Sequence, residues 1–170
     1  MAINANNSEG LSGTAEDLMR ELVALTQRVE LRGPAVADRI VAGFHRDGRL
    51  SVYFGEDVYY QFDPEGRLRR ALTNGRLFRT QGNGLAELIR VRSAEATELV
   101  RRDLDSTELA HFVRLMLERL GALREALASG RLEVTRQFPS DALVVERLVG
   151  SLEVVLSAAG ELAPAINRMR

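Results

Sequence analysis

The sequence predicts an α+β fold, and three observations carry that prediction. From Ile40 to Val91 apolar residues recur with a period of two, the alternation that places successive side chains on opposite faces of a strand. The stretch is broken at Asp47-Gly48, Gly55-Glu56-Asp57, Asp63-Pro64-Glu65-Gly66, Asn74-Gly75 and Gly82-Asn83-Gly84, where glycine supplies the positive φ of tight hairpins. Beyond it, the apolar residues of 105–129 and 140–160 return at helical spacing. The expected architecture is an antiparallel β-meander of six or seven strands, with an N-terminal helix and two C-terminal amphipathic helices packed on one face.

Residues 1–13 are polar and read as a disordered lead to a single domain over 14–163. Thr14 with Asp17 resembles a capping box, and Leu18, Leu22, Leu25 and Val29 follow at helical spacing, giving a helix over 14–28. The end of that segment, "VELR", alternates and reads equally as extended chain. The meander spans 36–103, with "ATELVRRDLD" as its seventh strand. Gly-Arg-Leu occurs three times within it, at 48–50, 66–68 and 75–77. Each copy marks a turn with glycine, a wet edge with arginine and the inward start of a strand with leucine.

Asp105, with Glu108 three residues later, caps a helix over 105–129 whose stripe is Leu109, Phe112, Val113, Met116, Leu120, Leu123 and Leu127. Ser129-Gly130 ends it. An extended piece, "RLEVTRQF", leads to a helix over 140–160 carrying Val144, Val145, Leu148, Leu152, Val155, Leu156 and Ala159. Pro164 is expected to end the ordered chain and leave a frayed tail over 164–170.

Composition excludes several chemistries. The 170 residues include 45% apolar and 28% charged residues with a formal net charge of −1, as in a soluble globular chain with no bulk preference for polyanions. All 23 basic residues are arginine, which excludes a P-loop lysine or a Schiff-base lysine. Cysteine is absent, and disulfides, thiolate metal sites and cysteine nucleophiles go with it. No cofactor is called for. The N-terminus lacks a signal-peptide pattern, and no apolar run approaches the roughly 20 residues that span a bilayer. The expected location is the cytoplasm, with no membrane contact.

Requiring apolar residues to share a face sets a strand register. It pairs Leu50 with Phe62, Val52 with Tyr60 and Phe54 with Val58. Next come Phe62 with Leu68, Tyr60 with Arg70, Leu72 with Leu77 and Arg70 with Arg79. Arg79 with Glu87 and Leu77 with Ile89 complete it. One row then holds Val52, Tyr60, Arg70, Arg79 and Glu87. Two arginines side by side repel, so a partner is expected. One reading is an ion network completed by Glu87, Tyr60 and a helix carboxylate such as Glu108 or Glu146. The other is an anion site in which Arg70 and Arg79 fork a carboxylate or phosphate beside Tyr60 and Glu87.

The opposite face would carry Tyr53, Tyr59, Ala71, Phe78 and Leu88 beside Gln61 and Arg69. Residues 64–92 hold seven arginines against two acids. Tyr53, Tyr59, Arg69 and Phe78 are therefore the candidate face for single-stranded nucleic acid. His45 and His111, 66 positions apart, read as surface or boundary residues. "FGED" reads as a solvated turn, and no metal site is expected. "YQFDPEGRL" is similar to one unit of the tyrosine-aspartate repeats of bacterial surface proteins, but a single irregular copy assigns no family.

The leading functional expectation is a non-catalytic interaction or scaffold domain forming a homodimer, since amphipathic helices and a sheet apolar on both faces offer more sticky surface than one core needs. Its stability would depend on helix or sheet-face residues. An anion or nucleic-acid binding module is the alternative. A small-molecule enzyme with a Tyr60, Arg70, Arg79 and Glu87 pocket is the third.

Overall fold

The computed structural model describes Arg20 and residues 25–33, 36–55, 57–81, 84–135 and 139–168. The strands are β1 (Gln27–Gly33), β2 (Val36–Phe44), β3 (Leu50–Phe54), β4 (Val58–Phe62), β5 (Leu68–Thr73), β6 (Arg76–Gln81), β7 (Gly84–Arg92), β8 (Thr97–Asp103) and β9 (Glu133–Val134). Two helices follow β8: α1 (Ser106–Ala128) and, after β9, α2 (Asp141–Arg168). Among the described residues, these nine strands form one open antiparallel sheet in the order β8-β7-β6-β5-β4-β3-β2-β1-β9. The α+β class and the antiparallel meander follow the sequence reading, with nine strands in place of six or seven.

Two of the extra strands come from segments read otherwise. The expected helix over 14–28 gives way at its end to β1, because Val29 and Leu31 alternate onto the core and pair with Ala42 and Ile40. Residues 14–24 other than Arg20, and the lead at 1–13, lie outside the described residues. The extended piece after α1 supplies β9, whose Val134 pairs with Leu31. The helix after it does not stop near residue 160, and α2 runs through Pro164 to Arg168. An interior proline costs a helix one backbone hydrogen bond and crowds the carbonyl four residues earlier, a cost that α2 carries at Pro164 without ending there.

The turns follow their chemistry. Asn74 and Gly75 adopt φ of 52° and 82°, the two positive values of a two-residue hairpin turn between β5 and β6. The three Gly-Arg-Leu glycines, Gly48, Gly66 and Gly75, all have positive φ, and so does Gly130, which opens a fourth copy after α1. The Asp105 carboxylate accepts from the Glu108 amide at 2.8 Å while the Glu108 carboxylate accepts from the Asp105 amide at 3.3 Å, so α1 begins in a full capping box.

Both helices lie on one face of the sheet. Phe112, Met116, Leu120, Leu148 and Leu152 pack there with Phe44, Val52, Tyr60, Phe62 and Phe78. The other face carries a separate buried cluster of Leu25, Val41, Tyr53, Tyr59, Leu72 and Leu77. These six residues are only 1–8% exposed within the single chain. The sticky sheet face expected from the sequence is therefore already withdrawn from solvent.

Register departs from expectation in two places. β3 and β4 pair as foreseen, with Val52 opposite Tyr60. Between Gln61 and Phe62 the β4–β5 ladder shifts, so Phe62 still faces Leu68 but Tyr60 faces Ala71 and Gln61 faces Arg70. This bulge puts Ala71, fully buried, beneath α1 and turns Arg70 to the other face. Without it a guanidinium would be desolvated in the apolar layer, at a cost of several kcal/mol in this class of burial. At the next hairpin, Gln81 pairs with Gly84, so Arg79 faces Ala86 and Phe78 faces Glu87.

Candidate functional site

The two register changes separate the four residues read as one anion site. Arg70 and Arg79 are cross-strand partners, as foreseen. Tyr60 and Glu87 project from the opposite face. Tyr60 is fully buried under α1, where its hydroxyl accepts a 2.7 Å hydrogen bond from Arg119. A Tyr60, Arg70, Arg79 and Glu87 pocket is thus not assembled. Arg70 is half-buried, and that burial, with Arg79 adding to it, lowers its pKa.

Arg70 belongs to a polar network on its own face. Gln61, 1% exposed, accepts at Oε1 from Arg70 Nε at 3.2 Å and from Arg49 at 3.3 Å. Its amide nitrogen donates to the Tyr59 hydroxyl at 2.7 Å and to Ser51 Oγ at 3.5 Å. His45 Nε2 lies 2.7 Å from Ser51 Oγ. Burial chiefly, then Arg49, pushes the His45 pKa below its ordinary value, against an opposing pull from Asp47. Of the two histidines read as surface or boundary residues, His45 is buried at 8% exposure and His111 is exposed. A histidine beside a serine hydroxyl is nucleophile geometry, but Ser51 has no exposed surface through which a substrate could reach it. The network satisfies buried polar groups.

Burial also takes apart the nucleic-acid face. Tyr53 and Tyr59 pack on each other with ring centroids 4.5 Å apart, inside the second cluster. Phe78 lies on the helix face, 5.1 Å from the Phe112 ring. Arg69 is exposed at the bulge, so the four do not form an open stacking platform.

The expected ion network exists around different arginines. Glu87 accepts from Arg76 at 2.8 and 3.0 Å, and from Arg102 at 3.0 Å. Arg102 also forks Glu108 at 2.8 and 2.9 Å. The Arg102 guanidinium pulls the Glu108 carboxyl down to about 2, and Arg76 with Arg102 lowers Glu87. These contacts tie β6, β7 and β8 to the start of α1.

Beyond that anchor, β7 and β8 continue as a two-stranded ribbon at the end of the sheet. Ile89, Val91 and Val100 are 36%, 46% and 45% exposed, and Ile89 is the direct partner of Val100. They share a face with Glu87 and Arg102. The only other large apolar side chains this exposed among the described residues are Leu143 and Val154, both on α2. The sequence places both strands of this ribbon but not its exposed apolar set, because Leu85, Ile89 and Val91 on one parity and Ala86 and Leu88 on the other put apolar residues on both faces.

Elsewhere the surface offers a depression of about 330 Å³ lined by Glu30, Arg32, Arg39 and Thr135, where acid and base sit together. Among the described residues no cluster of His, Asp or Glu could hold a metal ion, and no helix is long and apolar enough to cross a membrane. No protein-family model, curated protein or solved structure matches the chain.

Proposed function

We propose that this chain is a non-catalytic protein-interaction domain that assembles through the open sheet edge formed by β7 and β8. One observation carries the reading: Ile89, Val91 and Val100 are exposed together on one face of the last two strands, where the sheet ends. Apolar residues scattered singly on a surface need no account, but an adjacent set on an open strand edge is the kind of surface that partner chains cover. The opposite edge is blunted by the shortness of β9, which has two residues. Burial of Ser51 and the separation of Tyr60 and Glu87 from the arginine pair favour binding over catalysis.

The surface expected on a helix or a sheet face is thereby moved to the edge. Sedimentation velocity over a concentration series tests it. The wild-type chain is expected to associate, and Ile89→Lys or Val100→Lys to shift it towards monomer with an unchanged thermal midpoint, because both sites are exposed. A monomer at every concentration, or association indifferent to both substitutions, would contradict the reading.

A further inference from the structure

We infer that the partner of the β8 edge is a second copy of this chain, joined by antiparallel β8–β8 pairing about a two-fold axis through Val100. The inference rests on the proposed interaction role and adds its partner and register. It is built from backbone direction, charge order and the placement of the apolar residues.

Backbone direction limits the registers. The Leu104 amide donates to the Leu85 carbonyl at 2.9 Å, extending the β7–β8 ladder by one pair. In an antiparallel ladder the bonded pairs alternate, so Arg102, Val100 and Glu98 turn their backbone groups towards β7. Thr97, Leu99, Arg101 and Asp103 then turn theirs outward, along the open edge. A second β8 must meet that outward set with its own outward set, which leaves only two-fold registers that pair odd positions with odd ones.

Charge order selects among them. A two-fold axis through Glu98 sets Glu98 against itself, and an axis through Arg101 or Arg102 does the same with an arginine, both of which repel. An axis through Leu99 sets Glu98 against Val100 and leaves Arg102 and Asp103 with no residue of the second β8 opposite them. With the axis through Val100, Glu98 meets Arg102 of the second copy, Leu99 meets Arg101 and Thr97 meets Asp103. All seven residues of β8 are then paired. Opposite charges flank the axis twice, and no like charges face each other.

The same register gathers the exposed apolar residues. Ile89 stands opposite Val100 within the chain, so the joined sheet carries Ile89, Val100, Val100 and Ile89 in one row across four strands. Val91 lies in the neighbouring row, opposite Glu98. Charges on an edge strand ordinarily discourage pairing with arbitrary strands, and here their order admits one copy of itself. Two seven-residue strands make a small interface, so the dissociation constant is expected on the order of micromolar or weaker.

The absence of cysteine makes the test direct, since a single introduced thiol has no competitor. About a two-fold axis through Val100, the two Val100→Cys positions stand at a non-hydrogen-bonded pair, roughly 4.5 Å apart at Cα, within disulfide reach. Two Thr97→Cys positions would be separated by six residues, about 20 Å. Under mild oxidation Val100→Cys is expected to form a covalent dimer at least about tenfold faster than Thr97→Cys. Association of the wild-type chain with no preference for the Val100→Cys cross-link would overturn the β8–β8 pairing and its register while leaving the interaction role standing. A chain that stays monomeric at all concentrations would overturn both.

Discussion

Gln61 shows how much of this molecule is decided by single side chains. Its amide accepts from Arg49 and Arg70 while donating to Tyr59 and Ser51, so it joins two guanidiniums, one of them also paired with Asp47, to a buried hydroxyl cluster. At the far end of the same network, burial chiefly lowers the pKa of His45. Its folded pKa lies below the ordinary 6.5, so protons bind the unfolded chain more readily. Stability should be full above about pH 6.5 and fall as the pH drops through the lowered folded value. Glu87 and Glu108 titrate below their ordinary carboxyl range, so they do not interfere between pH 5 and 7. Urea midpoints across that window should decline for the wild type and flatten for His45→Asn. A wild-type midpoint that rises towards pH 5 would contradict the assignment.

At the scale of elements, the β1–β2 pair depends on a residue with no side chain. A Cβ added at Gly43 would stand 2.1 Å from the Gln27 carbonyl oxygen and 3.0 Å from Arg28 Cα, both backbone atoms. Gly43→Ala should therefore cost about 1–3 kcal/mol, the range of overpacking, and loosen β1 first. Chemical denaturation measures the loss, and a change within about 0.5 kcal/mol would show that the strands separate more easily than the geometry implies.

Elements of this kind were legible to different degrees in the sequence. The Asn74-Gly75 turn and the Asp105–Glu108 box state their geometry in their residues, and the hairpins and α1 were placed from them. The bulge at Gln61 was not legible, because it is driven by the burial of Ala71 and the exclusion of Arg70 beneath α1, contacts between segments far apart in the chain. That one-residue shift, with the second at the Gln81–Gly84 hairpin, dispersed the candidate arginine site, whose Arg70–Arg79 pairing alone had been readable from the local turn. The Arg102–Glu87–Glu108 network joined positions on three elements whose contact no spacing announces.

At the scale of the whole molecule, two layers of core occupy the two faces of the sheet, and three of the five exposed large apolar side chains among the described residues, Ile89, Val91 and Val100, stand together at one end of it. The ion network at the root of β7 and β8 holds that edge to α1, so the ribbon presents its outward backbone groups from a fixed base. Hydrogen exchange of the β8 amides, followed at low and high protein concentration, reads that surface directly. The account predicts that Val100 and Arg102, bonded to β7, are protected at both concentrations, while Leu99, Arg101 and Asp103 gain protection only as the concentration rises. Equal and unchanging exchange at Leu99, Arg101 and Asp103 across the series would contradict it.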